Sequence, residues 1–253
     1  MPTEKRERQR AGREARRAAA QAALRQRQQR RRVITLLVLI AVIFGIGFLL
    51  SRSGDDGTDV ATGSDSAEDC PEPDEDVEPK LEFTEAPELA LEDGKDYSAE
   101  VCTDAGTFTI DFDEDKAPKT VNNFVFLARN RFYDGAPFHR VIPGFVVQGG
   151  DAKNKDGTGD AGYKFDDELP EAGEYEVGSV AMANSGPNTN GSQFFVITGK
   201  QGVDLPPSYS LFGKVTKGMD VVQKIEADGQ PDGKPKVEHR MVVVKITTKD
   251  KKS

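Results

Sequence analysis

Short stretches in which apolar and polar residues alternate run through the second half of the chain. A period of two predicts one strand over 97–103 and another over 107–112, and Asp104-Ala105-Gly106 between them suits a hairpin turn. Further short strands, separated by glycine-rich loops, are predicted around 138–142, 145–149, 178–183, 193–198 and 211–215, with a closing strand over 237–246. This part of the chain is therefore predicted to be mainly β.

Two stretches have a helical period instead. Apolar residues recur at helical spacing between 116 and 129, where Pro118 fits the first turn, and again over 218–226. Many short strands together with two helices indicate a small closed β-barrel, because closure removes the exposed edges of a sheet.

The amino-terminal residues have a different character. Residues 1–32 hold twelve Lys/Arg and three acids, a charge of +9, whereas the whole chain carries −9, so the remainder sums to −18. The next 18 residues, 33–50, carry no charge and would span roughly 27 Å as a helix, close to the thickness of a bilayer core. A buried core helix would show a polar face, and a cleaved signal peptide would have a shorter basic region and a small-x-small exit. We therefore favour a retained transmembrane helix.

The basic arm over 1–32 predicts the orientation of that helix. Arginine-rich flanks stay in the cytoplasm, so the arm is expected there and everything after residue 50 on the far side of the cell membrane. The arm lacks interleaved aromatic residues, which argues against nucleic acid as its partner and favours anionic lipid headgroups.

Residues 51–94 are predicted to be an acidic flexible linker, because their first part is rich in Gly, Ser, Asp, Glu and Pro. The chain has two cysteines, Cys70 and Cys102, and both fall on the predicted exported side. An even number of cysteines in an oxidising compartment favours one disulfide, although two free thiols are the alternative. The alternation along its strand places Cys102 on the wetter face, where the linker could reach it.

Two motifs carry the candidate chemistry. The first, over 138–151, reads Phe-His-Arg-Val-Ile-Pro-Gly-Phe-Val-Val-Gln-Gly-Gly-Asp, and the second, over 182–195, reads Met-Ala-Asn-Ser-Gly-Pro-Asn-Thr-Asn-Gly-Ser-Gln-Phe-Phe. The first combines a guanidinium, an amide and apolar side chains and contains no evident nucleophile or metal cluster, and the second repeats the apolar residues and neutral amides. The chain has two histidines, so catalysis by proton transfer is not favoured. The mixture suits a site that grips an extended peptide.

Together the two motifs resemble the signature of the cyclophilins, a family of peptidyl-prolyl cis-trans isomerases. The resemblance covers about 95–248 and leaves a short tail over 249–253. It implies a closed eight-stranded antiparallel barrel capped by two α-helices, with neither a metal nor another cofactor. The transmembrane helix and acidic linker in front of it resemble the membrane-bound cyclophilins of actinobacteria.

The resemblance also implies a set of site residues. Arg140 falls on the catalytic arginine of the family, with Gln148 and Phe145 beside it. The residues implied in substrate binding are Val146, Ala183, Asn184, Gln193, Phe195, Leu205 and Tyr209. Each apolar member could instead be ordinary core, and Asn184 could serve only a turn.

This sequence departs from the family pattern at three places. Val146 stands where many relatives have methionine, Tyr209 where many have histidine, and no tryptophan lies beside Leu205. We expect the activity to survive and the binding of cyclosporin to be weak.

The leading hypothesis is a peptidyl-prolyl cis-trans isomerase that acts on Xaa-Pro bonds of unfolded exported or envelope proteins. One alternative is a proline-peptide-binding chaperone with little turnover, and another is an anchoring scaffold with a passive barrel. The expected partners are proline-containing peptides and the membrane, and the expected oligomeric state is a monomer.

Overall fold

The structure is a computed structural model that describes residues 70, 76 and 78–251. The predicted basic arm over 1–32 and the predicted transmembrane helix over 33–50 lie outside these residues. Within the described part of the chain, no helix combines the length and the apolar character needed to cross a bilayer.

Eight antiparallel strands and three helices make up the described domain. The strands are β1 (Lys95–Thr103), β2 (Gly106–Phe112), β3 (Arg140–Ile142), β4 (Val146–Gly149), β5 (Ser179–Met182), β6 (Phe194–Ile197), β7 (Leu211–Lys217) and β8 (Met241–Asp250). The helices are α1 (Pro118–Arg129), α2 (Lys200–Val203) and α3 (Met219–Ala227). The predicted strands and both predicted helices are present, and α2 is a single additional turn.

The strands form one curled sheet in the order β3-β4-β6-β5-β7-β2-β1-β8, which makes a half-barrel. The sequence predicts a closed barrel, but β3 and β8 do not pair along their lengths in the described structure. An isolated bridge between Pro137 and Arg240 joins the segments that precede them, and Phe138 N–H donates to the His239 carbonyl at 2.9 Å. Met241 N–H also donates to the Ala136 carbonyl at 3.0 Å, so both hydrogen bonds that flank the bridge are made, and the pairing does not continue into β3, which has only three residues.

Helix α1 packs on the sheet through aromatic side chains. Its Pro118 stands in the first turn, as the sequence predicts. Phe124 is fully buried, and its ring centroid lies 4.7 Å from that of Tyr133, 5.3 Å from that of Phe194 and 5.7 Å from that of Phe212. The helix is therefore part of the core and not of a site.

Residues 78–94, which the sequence assigns to a flexible linker, lie against the domain. Phe83 is buried, with its ring 4.8 Å from that of Phe126, and its N–H donates to the Ala161 carbonyl at 2.8 Å. The Asn122 carboxamide donates to one main-chain carbonyl of this segment and accepts from one of its N–H groups, both at 2.9 Å. A buried aromatic ring and a paired amide thus hold a segment whose composition alone indicates a linker.

The predicted disulfide is confirmed: Cys70 and Cys102 are bonded, with their Cα atoms 5.6 Å apart. Cys102 does not lie on a wet face, however, because it is fully buried between Thr107 and Val243 on the neighbouring strands. The bond joins residues 32 positions apart in sequence, and for a closed loop of this length the chain-entropy model gives about 4 kcal/mol of stabilisation.

Candidate active site

Nine of the ten predicted catalytic and substrate-binding residues line one pocket of about 150 Å³. They come from β3, β4 and β6, from the turn between β3 and β4, and from the loops that follow β5 and α2. The pocket is lined by Arg140, Phe145, Val146, Gln148, Ala183, Asn184, Phe195, Leu205 and Tyr209. The tenth, Gln193, bonds the side chain of Gln148.

A chain of hydrogen bonds orients the guanidinium of Arg140. The antiparallel register of β3 and β4 places Arg140 opposite Gln148, and Arg140 Nη1 donates to Gln148 Oε1 at 3.0 Å. Gln148 Nε2 donates in turn to Gln193 Oε1 at 3.1 Å, and Gln193 Nε2 donates to the carbonyls of Gly157 and Gly159, both at 2.8 Å. Both amides therefore have one defined orientation, with the Gln148 oxygen towards the guanidinium.

The same guanidinium lies over the ring of Phe145, with its Cζ 5.4 Å from the ring centroid. Gln148 is its only hydrogen-bond acceptor among the described residues, so most of its five N–H donors are available to a ligand. The apolar side of the pocket includes the buried Phe195 ring, which meets the Tyr209 ring edge-on with the centroids 5.4 Å apart. The pocket thus joins a directed cation to a preformed apolar surface.

Comparison with known proteins decides the family. The family model described as cyclophilin type peptidyl-prolyl cis-trans isomerase/CLD matches residues 98–248, more than half of the chain. The chain belongs to this family of isomerases. The predicted enzyme class is therefore confirmed.

Two relatives of this cyclophilin come from Gallus gallus and Encephalitozoon cuniculi. Peptidyl-prolyl cis-trans isomerase-like 3 of Gallus gallus is 46% identical over 127 residues, which are 49% of this chain and 78% of that protein. A peptidyl-prolyl cis-trans isomerase of Encephalitozoon cuniculi is 42% identical over 145 residues, 54% of this chain and 83% of that protein.

Solved structures that resemble this chain are also cyclophilins. The cyclophilin type isomerase of Cryptosporidium parvum aligns with a TM-score of 0.56 at 30% identity, and the match covers 60% of this chain and 98% of that one. The same protein in the presence of the dipeptide Ala-Pro aligns with a TM-score of 0.55 at 31% identity, covering 59% of this chain and 98% of that one.

A buried carboxylate organises the loop to which Gln193 is bonded. Asp151 is fully buried, and its oxygens accept hydrogen bonds from the main-chain N–H groups of Asn154, Asp156, Gly157 and Gly159 at 2.9 to 3.3 Å. Burial favours a higher pKa for Asp151, but the main-chain donors outweigh it and hold this pKa below its ordinary value. Asp151 is the last residue of the first sequence motif, but the sequence alone does not indicate what this aspartate does.

Tyr175 is a second residue that the sequence does not single out. Its hydroxyl donates to the Tyr209 carbonyl at 2.7 Å and accepts from the Tyr209 N–H at 3.1 Å. The side chain is 2% exposed and packs with Val146 and Phe195 beneath the pocket, and this burial raises the pKa of Tyr175 to about 12. Tyr175 thus ties the main chain of a pocket residue to the apolar wall.

Asn184 serves a turn as well as lining the pocket. Its Oδ1 accepts from the Gly186 N–H at 3.2 Å, and its Nδ2 donates to the Ser208 carbonyl at 2.9 Å. The neighbouring Ala183 uses its N–H to bond the Gln193 carbonyl at 3.0 Å. The side chain of Asn184 therefore joins two loops at the rim of the cyclophilin pocket.

Proposed function

We propose that this isomerase accelerates Xaa-Pro rotation in exported or envelope proteins, and that Arg140 stabilises the twisted amide without covalent chemistry. The chain folds as a cyclophilin, and the proposal concerns which residue carries the catalysis and which proteins are the clients.

The physical problem is the double-bond character of the prolyl amide. Its cis and trans forms are close in energy, yet the barrier between them is about 18–20 kcal/mol, and the exchange takes tens to hundreds of seconds. A catalyst must bind the twisted amide more tightly than either planar form. In the twisted state the prolyl nitrogen regains a lone pair, which accepts a hydrogen bond that neither planar form can accept.

The observation that carries the proposal is the position of the Arg140 guanidinium. It lines the pocket, its Nη1 donates to Gln148, and its Cζ lies 5.4 Å from the centroid of the Phe145 ring, so the group is held in place while its other donors are available to a ligand. A fixed cation that meets charge only in the transition state lowers the barrier without tightening ground-state binding.

The apolar part of the pocket fits the proline ring. Phe145, Val146, Phe195 and Leu205 bound a volume of about 150 Å³, which suits one small ring. A related cyclophilin was solved in the presence of the dipeptide Ala-Pro, which supports a proline-sized ligand in this chain.

Substitution of Arg140 tests the catalytic role. Arg140→Ala in the full-length protein should lower kcat/KM for an Xaa-Pro peptide by about 10²- to 10³-fold, the size expected for losing one transition-state donor. Arg140→Lys should recover only part of this loss, because an ammonium restores the positive charge but lacks the forked donors of a guanidinium. The matched control is Arg129→Ala, an exposed arginine on α1, which should turn over at the parent rate.

The result that would contradict this mechanism is an Arg140→Ala protein within about threefold of the parent kcat/KM. Binding of the same peptide, followed by fluorescence, separates the outcomes further, because the mechanism requires a loss in kcat that is larger than the loss in affinity.

The proposal includes a location outside the cytoplasm with an anchor over 33–50. The Cys70–Cys102 disulfide supports it, because disulfides persist in oxidising compartments. The uncharged 33–50 stretch behind a basic arm supports it as well. Clients in that location are unfolded exported chains with exposed Xaa-Pro bonds.

A further inference from the structure

A second cleft adjoins the candidate active site and shares Arg140 and Gln148 with it. Its volume is about 790 Å³, several times that of the proline pocket. One wall is the loop over 155–157 and the other is the loop over 232–238. A peptide that places its proline beside Arg140 and continues past the guanidinium would enter this cleft.

Two glycines allow these loops to approach the centre. Gly157 has a φ of +91°, and a Cβ there would lie 2.9 Å from the ring of His139. Gly233 has a φ of +88°, and a Cβ there would lie 3.2 Å from the Cγ of Arg140. Because both walls rest on the His139-Arg140 pair, the cleft and the guanidinium form one continuous surface.

The lining of the cleft includes three lysines, Lys155, Lys234 and Lys236. All three are exposed, and none forms an ion pair or a side-chain hydrogen bond with any residue that the structure describes. Some other lysines of the domain are paired; Lys153, for example, lies 2.8 Å from Glu82 and Lys214 lies 2.7 Å from Glu176. The cationic groups of the cleft are therefore available to an outside partner.

The acidic groups of the same lining are already engaged locally. Asp156 Oδ1 accepts from the N–H and the hydroxyl of Thr158, and Asp232 Oδ1 accepts from the Lys234 N–H. Glu238 lies 2.7 Å from the guanidinium of Arg240. Four cations and three carboxylates line the cleft, so its formal charge is +1, whereas residues 95–253 as a whole hold 20 Lys/Arg and 24 Asp/Glu, a charge of −4.

We propose that this cleft is a subsite for acidic side chains of the substrate segment that flanks the Xaa-Pro bond. The inference rests on the proposed function, and it names the substrate class: peptides with carboxylates on one side of the proline. Three unpaired ammonium groups in an otherwise acidic domain match such a segment, and the shared Arg140 gives it a path from the proline pocket.

The subsite lies beyond the rotating bond, so it binds ground state and transition state alike. Its effect is therefore expected in KM and hence in kcat/KM, with kcat unchanged. Three solvent-exposed charge pairs together should change kcat/KM by about five- to tenfold at low salt. At about 1 M salt, where the Debye length is about 3 Å, the effect should disappear.

The experiment uses the full-length protein and three peptides with one central Xaa-Pro. One has three glutamates before the bond, one has three glutamates after it, and the reference has glutamine at all these positions. In the parent, one of the two acidic peptides should exceed the reference in kcat/KM by about five- to tenfold at about 0.01 M salt. In the triple variant Lys155→Gln, Lys234→Gln, Lys236→Gln, that ratio should fall to about one.

The matched control removes the same charge elsewhere: Lys217→Gln, Lys224→Gln, Lys245→Gln, three exposed lysines outside the cleft, should keep the parent ratio. The proposal is overturned if neither acidic peptide differs from the reference by more than about twofold, or if the control variant lowers the ratio as much as the cleft variant. Comparing kcat/KM of the parent and of Arg140→Ala on the glutamine reference peptide tests the proposed catalytic role separately from the subsite. A failed subsite and a failed catalytic role are therefore distinguishable.

Discussion

Replacing the buried carboxylate of Asp151 by an amide tests whether this residue holds the loop behind the active site. Oδ2 accepts from three main-chain N–H groups, those of Asp156, Gly157 and Gly159, and Oδ1 accepts from that of Asn154. Asp151→Asn keeps the shape and one oxygen. It removes the charge, and its NH₂ group faces at least one main-chain N–H, which is itself a donor and cannot accept a hydrogen bond.

The magnitude follows from these contacts. In the best orientation the asparagine oxygen keeps the three bonds of Oδ2 as neutral bonds, which are about half as strong as charged ones. The bond from Asn154 is lost, and a donor then faces a donor in a buried site. We expect a loss of about 3 kcal/mol in the free energy of unfolding at pH 7, or about 6–12 °C in Tm for a domain of this size.

The pH dependence has a defined sign. The pKa of Asp151 is lower in the folded than in the unfolded state, because the main-chain donors favour the carboxylate. Its contribution is therefore complete above the unfolded pKa of about 3.9 and is lost as the pH falls through the lower folded pKa. The amide of the Asp151→Asn variant does not titrate, so the difference in unfolding free energy between parent and variant should shrink below about pH 4.

Urea unfolding followed by far-UV circular dichroism at several pH values measures this difference. Asp166→Asn is the matched control, because Asp166 is exposed and its side chain makes no hydrogen bond or ion pair within the described residues. It should unfold within about 0.5 kcal/mol of the parent. The reasoning fails if Asp151→Asn is as stable as this control at pH 7, or if its deficit is the same at pH 3 as at pH 7.

Two further outcomes are expected. Tyr175→Phe removes the hydroxyl that bonds the N–H and the carbonyl of Tyr209. KM for an Xaa-Pro peptide should therefore rise about three- to tenfold, with kcat little changed. An unchanged KM would show that Tyr209 needs no such support. The native full-length protein should fractionate with membranes, and Cys70 and Cys102 should react with an alkylating reagent only after reduction, as mass spectrometry would show. Recovery as a soluble protein with two reactive thiols would contradict the proposed location.

Much of the pocket was predictable because its residues lie inside two continuous motifs. Arg140 and Gln148 belong to one motif, and a tight turn between β3 and β4 makes them antiparallel neighbours. Phe195 belongs to the other motif and becomes the partner of Gln148 when β6 pairs with β4. Short apolar runs between glycine-rich loops predict such strands, and short connections limit how they pair.

Tyr175 was not predictable in the same way. It lies in a segment without regular alternation, and its partner Tyr209 stands 34 positions later in another loop. Two irregular loops meet only because the sheet brings them together, and no local pattern encodes that distance. The prediction of a closed barrel was wrong, because whether a three-residue β3 and the bridge at Pro137 close the sheet depends on local backbone geometry. The prediction of two helices missed the one-turn α2 for the same reason.

The docked segment over 78–94 explains why composition failed at the domain boundary. Six of its 17 residues are acidic, yet the Phe83 ring, packed on that of Phe126, and the two hydrogen bonds of the Asn122 carboxamide hold it against the domain. The same segment reaches the loop that orients Gln193: Phe83 N–H bonds the Ala161 carbonyl, and Glu82 lies 2.8 Å from Lys153. The part of the chain that supports the active site therefore begins before the first strand, at residues that look like a linker when read without their partners.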